Sequence, residues 1–471
     1  MAPSYDIVAL LERAASAEAG EPTFEPSPGP DHVPLTFSQV AHWNLYQLGQ
    51  RPAIRQIACA TRLLGRLDLD ALRSSAAWIF RRHDALRTRI VIYDGLPTQE
   101  IDETRDCELN VEELSGLPES FREVEVLRLI ESFILKPIDV AAGPLSGVLL
   151  LRLGENEHVL IVAMEHMVSD AFSMDILLRE LLATYAQILR GRAVLLPKVL
   201  VQFGEFALLQ RRAQGSLLEK HGPYWNAHLA GCHRVTFPPD YSSLNESRSG
   251  WGTVPVQIGR DLKLELRKWC RRMRTTLVMS VLAAYIGLTL RWCNVSEAVI
   301  QFQTDGRVSP AIENTIGYFA SVLYLRIQCL ERDTFVDLLK RIIDEYCKAY
   351  EHADYSYMEA QVPRPEFTRN TCFNWVPQGS KVDLSDLDGS EDAIACYPLP
   401  FAHPMLRNLE RDTEPVILLY DTDGDTVGGI HFPLNRLSKE TMERFGRNFL
   451  VFIGALLRQP EGRIKDISLL Q

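Results

Sequence analysis

Apolar residues follow two kinds of pattern along this chain, short continuous runs and longer stretches with a helical period. Runs such as GPLSGVLLLRL (residues 143–153) and EHVLIVAM (157–164) predict buried strands. The stretch DAFSMDILLRELLATYAQILRG (170–191) has apolar residues at helical spacing and ends at Gly191, which predicts an amphipathic helix. Because the two patterns alternate repeatedly, the sequence predicts a mixed α/β (α+β) fold.

The same two patterns predict most of the remaining elements. We expect helices over residues 35–48, 67–86, 122–135, 261–273, 276–291, 334–350 and 437–457. We expect strands within 53–65, 297–304, 318–328 and 372–378, and hairpins within 87–101 and 415–434 that turn at Asp94-Gly95 and Asp423-Gly424. Residues 191–255 are rich in Pro, Gly and Ser, and no element is predicted there.

The chain divides into an extension and two α/β halves. Residues 4–18 have the spacing of a short amphipathic helix, and residues 21–34 contain five prolines, which exclude a helix or a central strand. We therefore interpret 1–32 as an N-terminal extension and proline-rich linker, either packed as a tail or docking a partner. The halves are expected at 33–200 and 201–471.

Composition and charge narrow the class of protein. With 471 residues, 46% hydrophobic and a net charge of −11, the chain is globular, and its acidity argues against nucleic acid as a partner. The longest apolar run, 277–290, is too short to span a membrane, and the N-terminus lacks a basic leader. We expect a cytoplasmic protein that does not bind a membrane.

Nine cysteines are widely spaced and form no Cys-x-x-Cys pair. This pattern predicts neither a disulfide framework nor a metal site, and it is typical of reduced thiols in a cytosolic protein.

The candidate chemistry lies where a predicted strand gives way to a helix, at Glu165–Ser173. Asp170 is suited to cap the helix, and free N–H groups from Ala171 to Ser173 would donate hydrogen bonds to an oxyanion. His166, at the strand end, could take a proton from an incoming nucleophile. The alternative is a structural histidine beside a capping aspartate, and spacing alone leaves both open.

This segment resembles the His-His-x-x-x-Asp-Gly motif of nonribosomal peptide synthetase condensation domains, members of the chloramphenicol-acetyltransferase-like superfamily. Further resemblances follow in that family's order, over about residues 33–465. They lie at Gln39, Trp43 and Leu45; Arg82, His83, Leu86, Arg87 and Thr88; Tyr224, Trp225, Leu229 and Gly231; Thr304–Arg307, Ile316–Phe319 and Leu323–Arg326; His352–Asp354; and Phe373–Trp375.

The resemblance implies two acetyltransferase-like lobes in a V, with a tunnel between them that admits phosphopantetheine arms. It implies that His166 acts on the nucleophile as a general base or positioning group. Asp170 would be structural and paired with an arginine, for which Arg87 is the first choice and Arg82 the second. No cofactor would be bound, because an acyl or peptidyl carrier protein presents the substrate.

Several positions depart from the family's pattern. Glu165 replaces the first histidine, and its carboxylate would either favour the protonated form of His166 or point to the opposite side of the strand. Ala171 replaces the glycine, a mild change unless φ is positive. Ser321 replaces an asparagine, so acceptor-side contacts would differ. Asn374 and Trp375, in the last matched motif, are assigned to the same tunnel or acceptor side.

The resemblance therefore implies a free-standing, monomeric acyltransferase of nonribosomal peptide or polyketide biosynthesis. A carrier-bound acyl thioester would be attacked by a small-molecule or carrier-bound amine or hydroxyl, giving an amide or ester. Two alternatives stay open, a non-catalytic recruitment domain that docks a tailoring oxygenase, and a heterocyclisation domain suggested by Glu165, Asp170 and Ser173. Epimerases and carrier-independent acyltransferases complete the set.

A carrier protein is generally acidic, so docking would require a local basic surface. The densest basic cluster comprises Arg267, Lys268, Arg271, Arg272 and Arg274, and Arg211-Arg212 is a second. Each is interpreted either as a docking surface or as a solvated helix face.

Overall fold

The computed structural model describes residues 11–12, 32–47, 56–241, 250–355, 370–377, 395–398 and 413–468. The helices are α1 (Phe37–Gln47), α2 (Leu69–Arg82), α3 (Glu119–Leu135), α4 (Ala171–Leu189), α5 (Phe203–His228), α6 (Arg260–Met273), α7 (Leu277–Trp292), α8 (Phe335–Tyr350) and α9 (Lys439–Arg458). The strands are β1 (Val33–Pro34), β2 (Gln56–Leu64), β3 (Thr88–Tyr93), β4 (Leu96–Ile101), β5 (Leu109–Glu113), β6 (Ser146–Arg152), β7 (Glu157–Glu165), β8 (Trp251–Ile258), β9 (Glu297–Thr304), β10 (Ser321–Gln328), β11 (Cys372–Val376), β12 (Ala395–Pro398), β13 (Val416–Asp421) and β14 (Thr426–Pro433).

The described residues fall into two compact units. The first unit has the bounds Met1–Leu217, Asp305–Ala320 and Gly379–Met405, and the second has Leu218–Thr304, Ser321–Gln378 and Leu406–Gln471. This division differs from a linear split at residue 200, because the chain returns to the first unit between β9 and β10. The predicted mixed α/β fold is confirmed.

The first unit contains a five-stranded and a three-stranded sheet. The larger has the order β12-β2-β7-β6-β5, in which only the β5–β6 pair is parallel, and the smaller has the order β1-β4-β3. Helix α3 covers the larger sheet with Val126, Ile130 and Ile134, which recur at a spacing of four and pack against apolar residues of β6 and β7. Strand β7 is buried along nearly its whole length, so the polar residues at its end lie inside the protein.

The second unit is built on one six-stranded sheet with the order β10-β9-β11-β13-β14-β8. Strand β11 is parallel to both of its neighbours, and the other pairs are antiparallel. Helix α7 is buried on all sides from Met279 to Leu290, as its continuous apolar run predicts. It packs beside α9, whose buried face includes Phe445, Phe449 and Phe452.

Both predicted hairpins are present, and the first turns where both of its central residues, Asp94 and Gly95, have positive φ. Helix α5 was not predicted, because Gly204, Gly215, Gly222 and Pro223 interrupt its apolar spacing. The short strands β1, β5 and β12 and the strand β8 were also missed. Short strands at a sheet edge carry too few residues to show a period.

The predicted helix over 4–18 and the proline-rich linker fall mainly outside the described residues, of which Leu11 and Glu12 are helical. All nine cysteines are free thiols. In the part of the chain that the structure describes, no single helix is both long and apolar enough to cross a membrane. Helices α6 and α7 meet that criterion of length and composition only jointly, with a bend of 101° between them.

One prediction concerns stability and pH. Burial lowers the pKa of His431, on β14, from 6.5 to about 4. The unfolded chain therefore binds a proton at this residue below about pH 6.5, whereas the folded protein does not until about pH 4, so stability is lost as the pH falls through this window. We expect His431→Gln to remove about 1–2 kcal/mol of the stability loss between pH 7.5 and pH 5, measured by urea unfolding. The matched control His233→Gln, at an exposed histidine, should lose as much stability as the parent between pH 7.5 and pH 5. If His431→Gln also loses as much as the parent, His431 is not the source of this loss.

Candidate active site

His166 lies directly after β7, in a short 3-10 turn over His166–Val168, and its side chain is buried. Its Nδ1 is 2.8 Å from the carbonyl oxygen of Ser169. A carbonyl can only accept, so we assign the ring hydrogen to Nδ1, which leaves Nε2 of the neutral ring as the proton acceptor. The Ser169 hydroxyl donates to the carbonyl of Glu165 at 3.1 Å, which closes the turn. The strand end therefore presents an imidazole with a fixed orientation.

Asp170 caps helix α4 and is 2% exposed. Its Oδ1 accepts the N–H of Ser173 at 2.8 Å. Its Oδ2 accepts from Arg307 Nη1 at 2.9 Å and from the backbone N–H groups of Phe319 and Ala320 at 3.0 and 3.2 Å. Four N–H groups thus satisfy this buried carboxylate, and the predicted structural role of Asp170 agrees with this geometry.

Ser173 extends the same network into the segment 305–320. Its Oγ lies 2.8 Å from Asp170 Oδ1 and 2.7 Å from the Gly317 carbonyl, and it accepts the Gly317 N–H at 3.0 Å and Arg307 Nη2 at 3.1 Å. Arg307 Nη2 also donates to the Thr315 carbonyl, and the guanidinium lies 4.6 Å from the centre of the Phe319 ring. One arginine therefore joins both ends of this segment to the start of α4.

Two glycines let the segment pass so close to its neighbours. Gly306 has φ +63°, and a Cβ there would overlap the Phe319 carbonyl oxygen. A Cβ at Gly317 would overlap the Phe203 ring. A side chain at Gly306 would push the two ends of the segment apart, and one at Gly317 would push the segment away from α5.

The predicted partners of Asp170 were wrong. Arg87 donates to the Phe80 carbonyl at 3.1 Å and to Asp84 at 3.0 Å. Arg82 donates to Glu180 at 2.9 Å. Both arginines are therefore held by groups close to their own helix or by the middle of α4, and the arginine that reaches Asp170 is Arg307.

Arg82 belongs to a second buried cluster, further along α4. Glu180 Oε2 is 2.9 Å from both Arg82 Nε and His83 Nε2. Burial opposes ionisation of Glu180, but the hydrogen bonds and charges of His83 and Arg82 outweigh it and lower the pKa of this carboxyl. This cluster ties α2 to α4 and positions the helix that Asp170 caps.

Two orientations of the Glu165 side chain were predicted, towards His166 or to the opposite side of the strand, and the structure favours the first. Glu165 Oε1 is 3.8 Å from Nε2 of His42, on α1, and the two side chains are 8% and 14% exposed. The His42 ring centre is 5.4 Å from that of His166, and Tyr318 lies 4.4 Å from His166 and 5.9 Å from His42. Sequence reasoning missed His42 and Tyr318 although both stand within or beside matched motifs.

The structure also shows where the other predicted site residues lie. Ala171 begins α4 and is not among the described residues with positive φ, so its methyl group is tolerated. The Ser173 N–H was expected to be free for an oxyanion, but it donates to Asp170 Oδ1, so this expectation was wrong. Ser321 starts β10 opposite Thr304, and Asn374 and Trp375 lie on β11, all within the second unit. Their acceptor-side role and the tunnel stay predictions. Within the described ranges, no group of three or more His, Cys, Asp or Glu residues could hold a metal ion.

We expect Asp170→Ala to destabilise the protein by about 3–5 kcal/mol, because it leaves the Arg307 guanidinium buried without its carboxylate. Arg307→Met should cost a similar amount, and the double variant Asp170→Ala/Arg307→Met should cost less than the sum, which urea unfolding would measure. Arg87→Met is the matched control, because Arg87 was the first-choice partner but does not contact Asp170. The loss of stability in Arg87→Met/Asp170→Ala should therefore equal the sum of the losses in the two single variants. A fully stable but inactive Asp170→Ala protein would instead give Asp170 a direct chemical role.

Comparison with known proteins identifies the family of this chain. The family model for the condensation domain matches residues 30–471. A linear gramicidin synthase polypeptide of Brevibacillus parabrevis is 29% identical over 454 residues, which cover 93% of this chain but 8% of that polypeptide. The chain thus spans less than a tenth of this curated relative.

Two solved structures show the same fold. The first condensation domain of the calcium-dependent antibiotic synthetase, in complex with a substrate analogue, has a TM-score of 0.77 at 17% identity, covering 93% of this chain and 99% of that one. The X-domain from teicoplanin biosynthesis has a TM-score of 0.76 at 22% identity, covering 95% and 100%. The mixed α/β architecture, the two units and the match over nearly the whole length together show that this chain belongs to the condensation domain family.

Proposed function

We propose that this protein is an acyltransferase that moves an acyl group from a carrier-protein phosphopantetheine thioester to an amine or hydroxyl acceptor. The observation that carries the proposal is the fixed imidazole of His166, whose Nδ1 is bound to the Ser169 carbonyl and whose Nε2 is the proton-accepting nitrogen. Membership of the condensation domain family supports the same reaction class.

His166 would manage the proton of the attacking group. As the acceptor's N–H or O–H attacks the thioester carbonyl, a new C–N or C–O bond forms and the proton passes to Nε2 of His166. The tetrahedral centre then collapses, the C–S bond breaks, and the proton leaves with the thiolate as phosphopantetheine thiol. Asp170 takes no part in this transfer, because its oxygens are engaged by Ser173, Arg307 and backbone N–H groups.

Recruitment is the second candidate function. The X-domain from teicoplanin biosynthesis has also been solved in complex with OxyB, and that complex has a TM-score of 0.74 to this chain. A recruitment domain would bind its partner whether or not His166 is present.

We expect His166→Ala to lose about 10²- to 10⁴-fold in turnover, because it removes a positioned proton acceptor, while its melting temperature stays close to that of the parent. Intact-mass spectrometry of an acylated carrier protein, incubated with a panel of amines and alcohols, would measure transfer. His233→Ala, which changes an exposed histidine of the second unit, is the matched control and should keep full turnover.

Two outcomes would contradict the proposal. If the parent protein consumes no acylated carrier with any acceptor in the panel, the proposed acyltransferase activity is excluded and the recruitment function is favoured. A His166→Ala variant as fast as the parent would leave the transfer to proximity alone.

The carrier would dock on a basic surface of α6. Lys268, Arg271, Arg272 and Arg274 are exposed there, and Arg267 reaches Asp421 at 3.4 Å. By contrast, Arg211 of the second cluster donates to the Leu35 carbonyl and lies over the Phe37 ring, so it is part of the fold. We therefore assign docking to the α6 surface, defined as Lys268, Arg271, Arg272 and Arg274.

Charge reversal at Arg271→Glu/Arg272→Glu should slow association with the carrier more at low salt than at high salt, since exposed charges act over a longer range when screening is weak. Stopped-flow association rates at about 20 and about 300 mM salt would show this. Arg332→Glu, an exposed charge reversal elsewhere in the second unit, should change the rate far less. An association rate unaltered at low salt would exclude the α6 surface.

A further inference from the structure

The turn that carries His166 is bonded from outside by a glutamine side chain. Gln39, on α1, donates its amide Nε2 to the Met167 carbonyl at 2.8 Å. Met167 is the middle residue of the turn over His166–Val168 and is fully buried. A buried carbonyl needs a donor, because burying it without one costs free energy. Gln39 therefore satisfies a backbone group one residue away from the imidazole.

The orientation of the Gln39 amide is fixed at its oxygen end. Its Oε1 accepts the backbone N–H of Thr36 at 2.8 Å, and the Thr36 hydroxyl accepts the backbone N–H of Gln39 at 3.2 Å. This reciprocal pair is a capping box at the start of α1. Because Oε1 faces a donor, the amide nitrogen must be the end that faces Met167.

Gln99, on β4, bonds the same amide nitrogen. Its Oε1 accepts from Gln39 Nε2 at 3.0 Å, and its own Nε2 donates to the Pro34 carbonyl at 3.0 Å. Gln39 is 0% exposed and Gln99 is 1% exposed, so these bonds are shielded from solvent. One chain of hydrogen bonds thus joins strands β1 and β4, helix α1 and the turn after β7, all within the first unit.

A capping box does not by itself require glutamine. Glutamate accepts the N–H of the capping residue as well, and it is the other residue typical of this position. An ionised glutamate cannot donate, however, and would leave both the Met167 carbonyl and Gln99 Oε1 without this donor. The group that distinguishes glutamine from glutamate, the NH₂, is therefore the group that Gln39 uses on Met167 and Gln99.

We infer that Gln39 is a positioning residue of the proposed acyl transfer, on which this inference rests. The bond between His166 Nδ1 and the Ser169 carbonyl fixes the ring relative to its own turn. The bond from Gln39 to Met167 fixes that turn relative to α1 and β4. Together they place Nε2 of His166 at one point in the first unit. Misplacing a reacting group by about 1 Å can cost about 10²-fold in rate, so the anchor of the turn affects the chemical step.

Two substitutions remove the NH₂ group and differ in what they keep. Gln39→Met keeps the length of the side chain, and Gln39→Glu also keeps the acceptor for Thr36. For both variants we expect kcat to fall about 10- to 100-fold in the acylated-carrier assay, with KM within about threefold of the parent. A loss in kcat alone is expected because the carrier and the acceptor still bind.

Thr36→Val is the matched control. It removes the hydroxyl half of the capping box and leaves the Gln39 bonds to Met167 and Gln99 in place. It should lower the melting temperature, because α1 loses part of its cap, while kcat stays within about twofold of the parent. The control therefore separates the stability of α1 from the position of the turn.

Nitrogen NMR of the imidazole gives a readout that does not depend on activity. In the parent labelled with ¹⁵N-histidine, at about pH 8, His166 should give separate signals for a protonated Nδ1 and an unprotonated Nε2, identified by their loss in His166→Ala. In both Gln39 variants these two signals should move towards a common average, because a loosened ring exchanges between its tautomers. Thr36→Val should keep the signals of the parent.

Two results would overturn the inference. One is a pair of Gln39 variants whose His166 signals match those of the parent. The other is an equal loss of kcat in Thr36→Val and Gln39→Met, which would reduce Gln39 to a stabiliser of α1. A parent that transfers no acyl group would overturn the proposed function, and the NMR comparison alone would then decide whether Gln39 fixes His166.

Discussion

The buried carboxylate of Asp170 is the interaction on which the site depends. One oxygen caps α4 through Ser173, and the other binds Arg307 and the backbone N–H groups of Phe319 and Ala320. A charge that is 2% exposed is tolerated only when it is paired and hydrogen-bonded, so the segment 305–320 must close on α4 for the protein to fold. That closure brings Tyr318 against His166.

Glu165, His166 and Asp170 are close in sequence, but their side chains have different surroundings in the fold. Asp170 accepts hydrogen bonds on both oxygens, which fits the structural role predicted for it. His166, four residues earlier, has one ring nitrogen fixed by Ser169, and the other is the proton acceptor. Glu165, the adjacent residue, lies 3.8 Å from the ring nitrogen Nε2 of His42. Three polar positions in one short stretch thus have different polar partners in the fold.

The sequence was informative wherever an interaction is local. Strand β7, the cap at Asp170 and helix α4 lie within one short stretch, and the structure confirms the local signature of each. Arg307 lies 137 residues from Asp170, and the pattern of apolar and polar positions does not predict contacts between residues so far apart in sequence. Arginines nearer in sequence were the natural choice, but Arg82 and Arg87 are held by Glu180, Asp84 and backbone carbonyls.

The fold shows the same limit. The continuous apolar run of α7 predicted its burial, whereas α5 was hidden by glycines and a proline that its packing accommodates. The return of the chain to the first unit at 305–320 is a tertiary feature with no sequence period, and it is the feature that supplies Arg307.

The central claim is that an imidazole, held on the scaffold that Asp170 and Arg307 build, takes the proton of the attacking group. Chemical rescue measures this most directly, because imidazole added to His166→Gly can occupy the space of the missing ring. The account predicts that added imidazole restores acyl transfer by His166→Gly in a saturable manner, whereas it does not restore transfer by Asp170→Ala, whose scaffold is damaged. Rescue of Asp170→Ala, or a His166→Gly protein that is fully active without imidazole, would contradict the account.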